Sequence, residues 1–352
     1  MIRNLSIESF RGFESIDISD MNRITLISGR NNVGKSSILE ALFLIMDHSS
    51  SDSFGKINGF RGSVTGGATS LWNPLFHQLD TEREIRICIK DDYHSSCLRY
   101  RKDNDYLPFT ANGVPEDVLA AFRLVTKNSY SLLYLYDEED YHEEGHFFLN
   151  GINALREIKS NLPGNELKSL PQTRWLNTTV TRLSDAVLND MGNLELNGKK
   201  GEVIAILQEL DPTIEDIMTL SIQGIPQLYL KIAGKHIPIQ YTGDGVMKLL
   251  QVCIAAMEMK TGLLLIDEIE TGLHYSMYGK LWVILNKISA ATNCQIIATT
   301  HSYEMISAVQ GNIQQESDFA YYRIGHGKQG HTAYRYDLNM LGSAMESEME
   351  VR

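Results

Sequence analysis

The chain has 352 residues, 43% hydrophobic and 22% charged, enough for one large α/β domain or two smaller ones. Its formal net charge of −12 excludes a protein that coats DNA by itself, so nucleic-acid contact would need a local basic patch or a partner. Four cysteines (Cys88, Cys97, Cys253, Cys294) stand apart with no C-x-x-C, which predicts reduced thiols, with neither a zinc knuckle nor a disulfide scaffold. Residues 1–8 lack the apolar stretch of a signal peptide and no run approaches membrane-spanning length, so a cytoplasmic protein without membrane contact is expected.

In chain order, residues 2–8 alternate apolar and polar, as a half-exposed strand does. Phe10-Arg11-Gly12-Phe13 and a second short alternating run, 16–18, follow. Ile24-Thr25-Leu26-Ile27 reads as a buried parallel strand, and 37–44 as a helix with an apolar stripe. The serine- and glycine-rich stretch 49–70 predicts a long exposed loop. Runs 84–89 and 97–100 read as strands joined at Asp91-Asp92. Residues 115–210 predict mainly helix, broken at Pro163-Gly164 and Pro171. A hairpin over 228–239 leads into Tyr241-Thr242-Gly243-Asp244-Gly245, after which buried strands and helices alternate. In the tail, 318–324 and 332–336 read as a hairpin, and 345–352 as a frayed, mostly polar end. Three segments are expected: 1–110, a mainly helical insertion 111–225, and 226–352.

Between the first buried strand and its helix lies Gly29-Arg30-Asn31-Asn32-Val33-Gly34-Lys35-Ser36, the pattern G-x-x-x-x-G-K-[ST]. Strand, glycine-punctuated loop and helix aim backbone N–H groups and the positive helix end at phosphate oxygens. Lys35 would reach the β/γ-phosphates and the Ser36 hydroxyl would hold Mg²⁺. Leu263-Leu264-Leu265-Ile266-Asp267-Glu268 is a central strand delivering two acids at its C-terminal edge. Asp267 is suited to Mg²⁺, and Glu268 to orienting and deprotonating an attacking water. A third buried strand, 294–300, ends at His301, placed to sense a γ-phosphate. Thr242 to Gly245 open a helix where glycines allow close approach to an anion, with Asp244 expected as the N-cap. His142-Glu143-Glu144-Gly145-His146 matches a zinc-protease pattern, but the neighbouring acids and Gly145 argue against the helix that chemistry needs.

Together these motifs resemble an ABC-type ATPase head. They are most similar to the heads of SMC-like and DNA-repair ATPases, and especially to the OLD-like AAA-type ATPases of bacterial anti-phage systems. The resemblance covers the first ~50 and last ~120 residues. It implies an α/β fold: a P-loop ATPase head with a mainly parallel core sheet, an antiparallel β-lobe and a helical insertion. Phe10-Arg11-Gly12-Phe13 looks like the family's N-terminal motif, 29–36 like Walker A, 242–245 like the signature, Asp267-Glu268 like Walker B, 270–274 like the D-loop and His301 like the switch histidine. It thus implies ATP with Mg²⁺ as ligands, contacted by Arg11, Gly29, Arg30, Asn31, Asn32, Val33, Gly34, Lys35, Ser36, Ser37, Thr242, Gly243, Asp244 and Gly245. Gln78 is the candidate for the glutamine that usually follows the second strand. Many relatives append a Toprim nuclease domain, whereas residues 303–352 hold no acidic nuclease constellation.

Expected, then, is a slow, regulatory ATPase with Lys35, Glu268 and His301 as catalytic residues. It would dimerise head to head around ATP, or form a higher homo-oligomer, and control a partner effector such as a nuclease in anti-phage defence. The alternative is a DNA-end or DNA-structure binding clamp in repair, using Arg83, Arg86, Lys90, Arg99, Arg101 and Lys102 as its basic patch.

Overall fold

The computed structural model describes residues 1–50, 52–61, 71–104, 131–150, 153–163, 166–168, 170–176, 185–328, 330–347 and 349–352. The chain forms two compact units. The first comprises Met1–Asp20, Asn31–Leu170 and Gly325–Ala333; the second comprises Met21–Arg30, Pro171–Ile324 and Tyr334–Arg352.

In the first unit, alternating sequences build an antiparallel sheet from β1 (Ile2–Phe10), β2 (Phe13–Ile18), β4 (Ile85–Asp91), β5 (Ser95–Asp103), β6 (Ser131–Glu138), β7 (Tyr141–Asn150) and β8 (Asn153–Ser160). Their order is β2-β1-β4-β5-β6-β7-β8. Helix α1 (Lys35–Met46) packs on β1 and β4, with ten of its residues buried. Three expectations change here. Part of the supposed loop 49–70 is helix α2 (Asp52–Phe60), because Phe54 and Ile57 share a helical face and are buried, Phe54 against Trp72, Tyr100 and Phe147. Residues 62–70 of that stretch lie outside the described residues. The mainly helical reading of 111–225 fails over 131–160, which are β6 to β8: Leu132, Tyr134 and Tyr136 alternate onto the buried face. Residues 105–130 and 177–184 lie outside the described residues. Finally, Cys88 and Cys97 face one another across β4 and β5 and form a disulfide, while Cys253 and Cys294 are free and buried. The turn at Asp91, whose carboxylate accepts the Tyr93 and His94 amides, sets that register.

In the second unit, every residue of β3 (Ile24–Gly29), β13 (Leu263–Ile266) and β14 (Gln295–Thr299) is buried, as parallel strands covered on both faces require. With β9 (Thr173–Leu176), β15 (Phe319–Gly327) and β16 (Gly330–Tyr336) they form a sheet ordered β16-β15-β3-β14-β13-β9. The pairs from β15 to β9 are parallel. A smaller antiparallel sheet holds β10 (Ile214–Ile222), β11 (Ile225–Ile232) and β12 (Lys235–Pro238). Helices α3 (Asp185–Leu196), α4 (Lys200–Leu210), α5 (Asp244–Glu258), α6 (Tyr278–Thr292), α7 (Tyr303–Ser307) and α8 (Leu338–Glu346) complete the unit. Leu249, Leu250, Cys253 and Met257 of α5 join Ile266, Trp282 and Ile296 in its core. The end of the chain is docked instead of frayed: Val351 is buried and its carbonyl accepts from the Tyr321 and Ser28 hydroxyls. Among the described residues, no helix is long and apolar enough to cross a membrane.

A buried polar contact fixes the far end of α1. His48, just past the helix, donates from Nδ1 to the Ile45 carbonyl (3.0 Å), stacks on Tyr136 and places Nε2 3.4 Å from Glu143. Burial alone would raise the Glu143 pKa; hydrogen bonding with His48, Tyr134 and Tyr141 outweighs it and holds the carboxyl below its ordinary value. A depressed carboxylate contributes stability above its unfolded pKa of about 4.3 and loses it as pH falls through the folded value. Thermal unfolding from pH 6 to pH 3 should therefore show Glu143→Gln less stable near neutrality by about 2 kcal/mol, with a shallower loss on acidification than wild type.

Candidate functional site

Of the residues singled out by sequence, Arg11 and Asn31 to Ser37 belong to the first unit. Gly29, Arg30, Thr242 to Gly245, Asp267, Glu268 and His301 belong to the second.

In the first unit, the loop bends through Asn32 (φ 64°) and Gly34 (φ 95°) into α1. Such alternation turns successive amides inward, the concavity that suits an anion. Gly34 holds the helix N-cap position without a side-chain cap, and α1 has no acid in its first turn to repel a phosphate. Only glycine fits: a Cβ there would run into the Phe13 ring. Phe13 thus buttresses the loop, which motif matching alone did not reveal. Asn31 and Asn32 are exposed, while Val33, Lys35 and Ser37 are buried. These residues fit a triphosphate by backbone shape and by the charge they withhold.

Arg11 has protein partners. Its guanidinium donates to Glu40 of α1 (2.8 Å), the Pro74 carbonyl (2.9 Å) and Asn58 (3.4 Å). The Arg11 side chain is only 7% exposed and that of Glu40 1%. Burial lowers the Arg11 pKa, and Glu40 opposes that shift. Glu40 also accepts from Arg61 (2.5 Å), whose other nitrogen donates to the Ser37 hydroxyl (3.2 Å). Arg11 therefore braces α1 from behind the loop, with donors committed to protein acceptors. Glu40 and Arg61 were missed because their partners are distant in sequence. Gln78, at φ 54° and exposed, sits beside His77, which faces the Arg11 carbonyl.

In the second unit, the two acids are fixed by a residue of the neighbouring strand. The buried Thr299 hydroxyl donates to Asp267 (2.5 Å) and accepts the Glu268 amide (2.8 Å). Parallel pairing of Ile266 with Ala298 sets Thr299 beside the acids, a register no linear motif displays. Glu268 adopts φ 43°, sparsely populated for a non-glycine residue, and Thr271 donates to its carboxylate (3.2 Å). The His301 amide donates to Glu270 (2.6 Å), tying the segment after β14 to the one after β13. Arg30 pairs with Glu350 at the surface (3.2 Å).

Gly243, and not Asp244, is the N-cap of α5: its φ of 94° suits glycine, whereas a capping aspartate needs extended backbone. The Thr242 hydroxyl donates to the Ile239 carbonyl (2.7 Å). A Cβ on Gly245 would meet the Gly272 carbonyl and Met277 sulfur at 3.3 Å, so the start of α5 lies directly on the segment following the acids.

Two other readings lose support. His142 and His146 lie on strand β7, where each imidazole faces an aspartate, Asp137 (2.7 Å) and Asp103 (3.1 Å). No group of three or more histidine, cysteine or acidic residues able to hold a metal occurs among the described residues. Mg²⁺ bound through one hydroxyl, one carboxylate, phosphate and water needs no such cage. In the basic patch, Arg83 pairs with Asp80 and Glu14, Arg86 and Arg101 with Glu84, Arg99 with Asp137, and Lys102 with Glu82, which neutralises its field locally.

Removing a counter-charge from a buried pair costs more than the pair contributes, because the remaining ion stays in the interior. Glu40→Gln should lower the unfolding free energy by about 3 kcal/mol. Arg61→Ala, at a half-exposed partner, should cost about 1 kcal/mol or less. Urea denaturation of both variants measures the difference; equal effects would refute the bracing role of Arg11 and Glu40.

The chain is 26% identical over 347 residues to an "ATP/GTP phosphatase" of Helicobacter pylori, covering 91% of this chain and 90% of that protein. It is 25% identical over 374 residues to "Septu protein PtuA" of Bacillus thuringiensis, covering 97% and 84%. The solved structure of an SMC head bound to the C-terminal winged-helix domain of ScpA superposes with TM-score 0.52 at 12% identity, covering 96% of this chain and 98% of that one, so the fold is of the SMC-head type. Residues 24–307 match the family model described as "AAA domain, putative AbiEii toxin, Type IV TA system", and the chain belongs to that family of ATPase domains.

Proposed function

We propose that the protein is an ATP-hydrolysing switch whose two copies close head to head around ATP and Mg²⁺ and thereby control a partner effector, a nuclease being the reading we favour, in cytoplasmic anti-phage defence. The loop from Gly29 to Ser36 cradles the triphosphate with its backbone, and Lys35 neutralises the β/γ-phosphates. Ser36 and Asp267 are the residues suited to Mg²⁺, which would supply charge neutralisation at the phosphate oxygens. Glu268 orients the attacking water and takes its proton, while His301 hydrogen-bonds the γ-phosphate. Thr242 to Gly245 of the second copy complete the site from the other side, so ATP binds the closed dimer better than either monomer and stabilises it by mass action. Arg11 braces α1 through Glu40, and its proposed contact with nucleotide would add to that role.

The observation that carries this reading is the Thr299 clamp. One buried hydroxyl fixes the orientation of Asp267 and, through the amide of Glu268, the strained backbone that carries the second carboxylate. A strand that merely ended in an acidic turn would not need to hold both acids so closely. The DNA clamp is the weaker reading because five of its six basic side chains are already paired with acids.

Glu268→Gln should reduce ATP turnover about 100-fold or more and accumulate an ATP-bound dimer. Lys35→Ala should remain monomeric whether or not ATP is present. Light scattering of both variants with and without Mg²⁺-ATP, beside phosphate release, decides the matter: wild-type hydrolysis by Glu268→Gln removes the catalytic assignment, and an ATP-independent oligomeric state removes the switch.

A further inference from the structure

The second unit contains a buried cation that the scheme above does not use. Lys248, one turn into α5, is 7% exposed, and its ammonium has no hydrogen-bond partner. The charges it feels are those of Glu270, Asp267 and Glu268, the strongest being Glu270. Burial pushes its pKa down and those acids pull against the shift. Glu270 has a matching gap: one carboxylate oxygen accepts the His301 amide at 2.6 Å, while the other is buried without a partner. An unpaired buried ammonium and an unpaired buried carboxylate oxygen are each costly. Two such groups of opposite charge, one on α5 and one after β13, are each left with the partner the other could supply.

The surrounding packing allows a shift of α5 to be transmitted. A Cβ on Gly245 would meet the Gly272 carbonyl and the Met277 sulfur at 3.3 Å, so the start of α5 lies close against the segment that follows Glu268 and a shift there would press on it. Glu270 is in turn bonded to the backbone of His301.

We propose that Lys248 is a positioning residue for ATP hydrolysis, coupling the start of α5 to Glu268 and His301 by closing an ion pair with Glu270. The coupling rests on the proposed function, in which residues 242–245 contact a triphosphate held by the other copy. When those residues engage the phosphate, α5 brings Lys248 onto the open oxygen of Glu270; Glu270 then fixes the His301 backbone, and the adjoining turn holds Glu268 in its catalytic orientation. Turnover is in this way limited to the closed dimer.

Steady-state ATPase kinetics and thermal unfolding of Lys248→Met, Lys248→Arg and Glu270→Gln test this. A buried, unpaired lysine replaced by methionine should leave the fold as stable as wild type or more so, and a purely structural role predicts unchanged turnover. The coupling predicts kcat lowered about tenfold in Lys248→Met with KM for ATP changed less than about twofold, and recovery of most activity in Lys248→Arg. Glu270→Gln keeps an oxygen for the His301 amide and should show the same split; it carries the test should Lys248→Met fail to fold. Wild-type kcat in either variant, or an arginine variant as impaired as the methionine one, overturns the proposal. Glu268→Gln assayed alongside separates the two ideas: if it is inactive while Lys248→Met is unimpaired, only the coupling fails, and if it is fully active the underlying function fails.

Discussion

A helix whose N-terminus is to face an anion must be held everywhere else. Side-chain capping, the usual way to satisfy the first turn, would occupy the amides the anion needs. Helix α1 opens instead on Gly34, with no acid in its first turn. Its anchorage comes from three other directions: Phe13 against the loop glycine, Glu40 between Arg11 and Arg61 on its flank, and His48 with Glu143 beyond its last turn. Each uses a buried or half-buried charge or a ring, and none competes for the loop backbone. The antiparallel sheet that supplies Phe13, Arg11 and Glu143 can be understood as the scaffold this constraint requires.

The second unit meets the opposite difficulty. Asp267, Glu268 and Glu270 fall within four residues at the end of a buried strand, and like charges so close destabilise one another where the dielectric is low. The structure separates them by backbone geometry. Glu268 turns away through a positive φ, Thr299 hydrogen-bonds Asp267, and the His301 amide takes Glu270. Lys248 adds positive charge from α5 without bonding any of the three. Carboxylates held apart in this way are directed by their hydrogen bonds, which is what a metal ligand and a general base require.

Both core strands and the acids were legible in the sequence because their signals are local: Ile24 to Ile27 and Leu263 to Ile266 are continuous apolar runs, each followed by its chemistry. The β11–β12 hairpin and the hairpin of the tail were legible for the same reason. What escaped depended on pairing between distant segments. Thr299 has meaning only once β13 and β14 are in register, and Glu40 only once Arg11 and Arg61 reach it. The helical reading of 131–160 went wrong because Leu132, Leu133, Tyr134 and Leu135 form a nearly unbroken apolar run, whose period cannot separate strand from helix. Asp244 was read as a cap from its residue type, but the φ of Gly243 moved the cap back by one position.

Among the described helices of this chain, two start on a glycine at positive φ, and both lie beside motif residues. Helices α7 and α8 are closed by side chains, Ser302 accepting the Met305 amide and Asp337 the Met340 amide. Helices α1 and α5 begin on glycines at φ 95° and 94° with no side-chain cap. A glycine in that conformation costs backbone entropy and forgoes the hydrogen bond of a capping side chain, together about a few tenths of a kcal/mol at each helix. Two helices accepting that cost, one after the phosphate-type loop and one beside the paired acids, are explained together if each start meets a phosphate. In the scheme we propose, each of these starts meets a phosphate, and the close approach of the Gly245 position to Gly272 sets the second start against the segment that follows the acids.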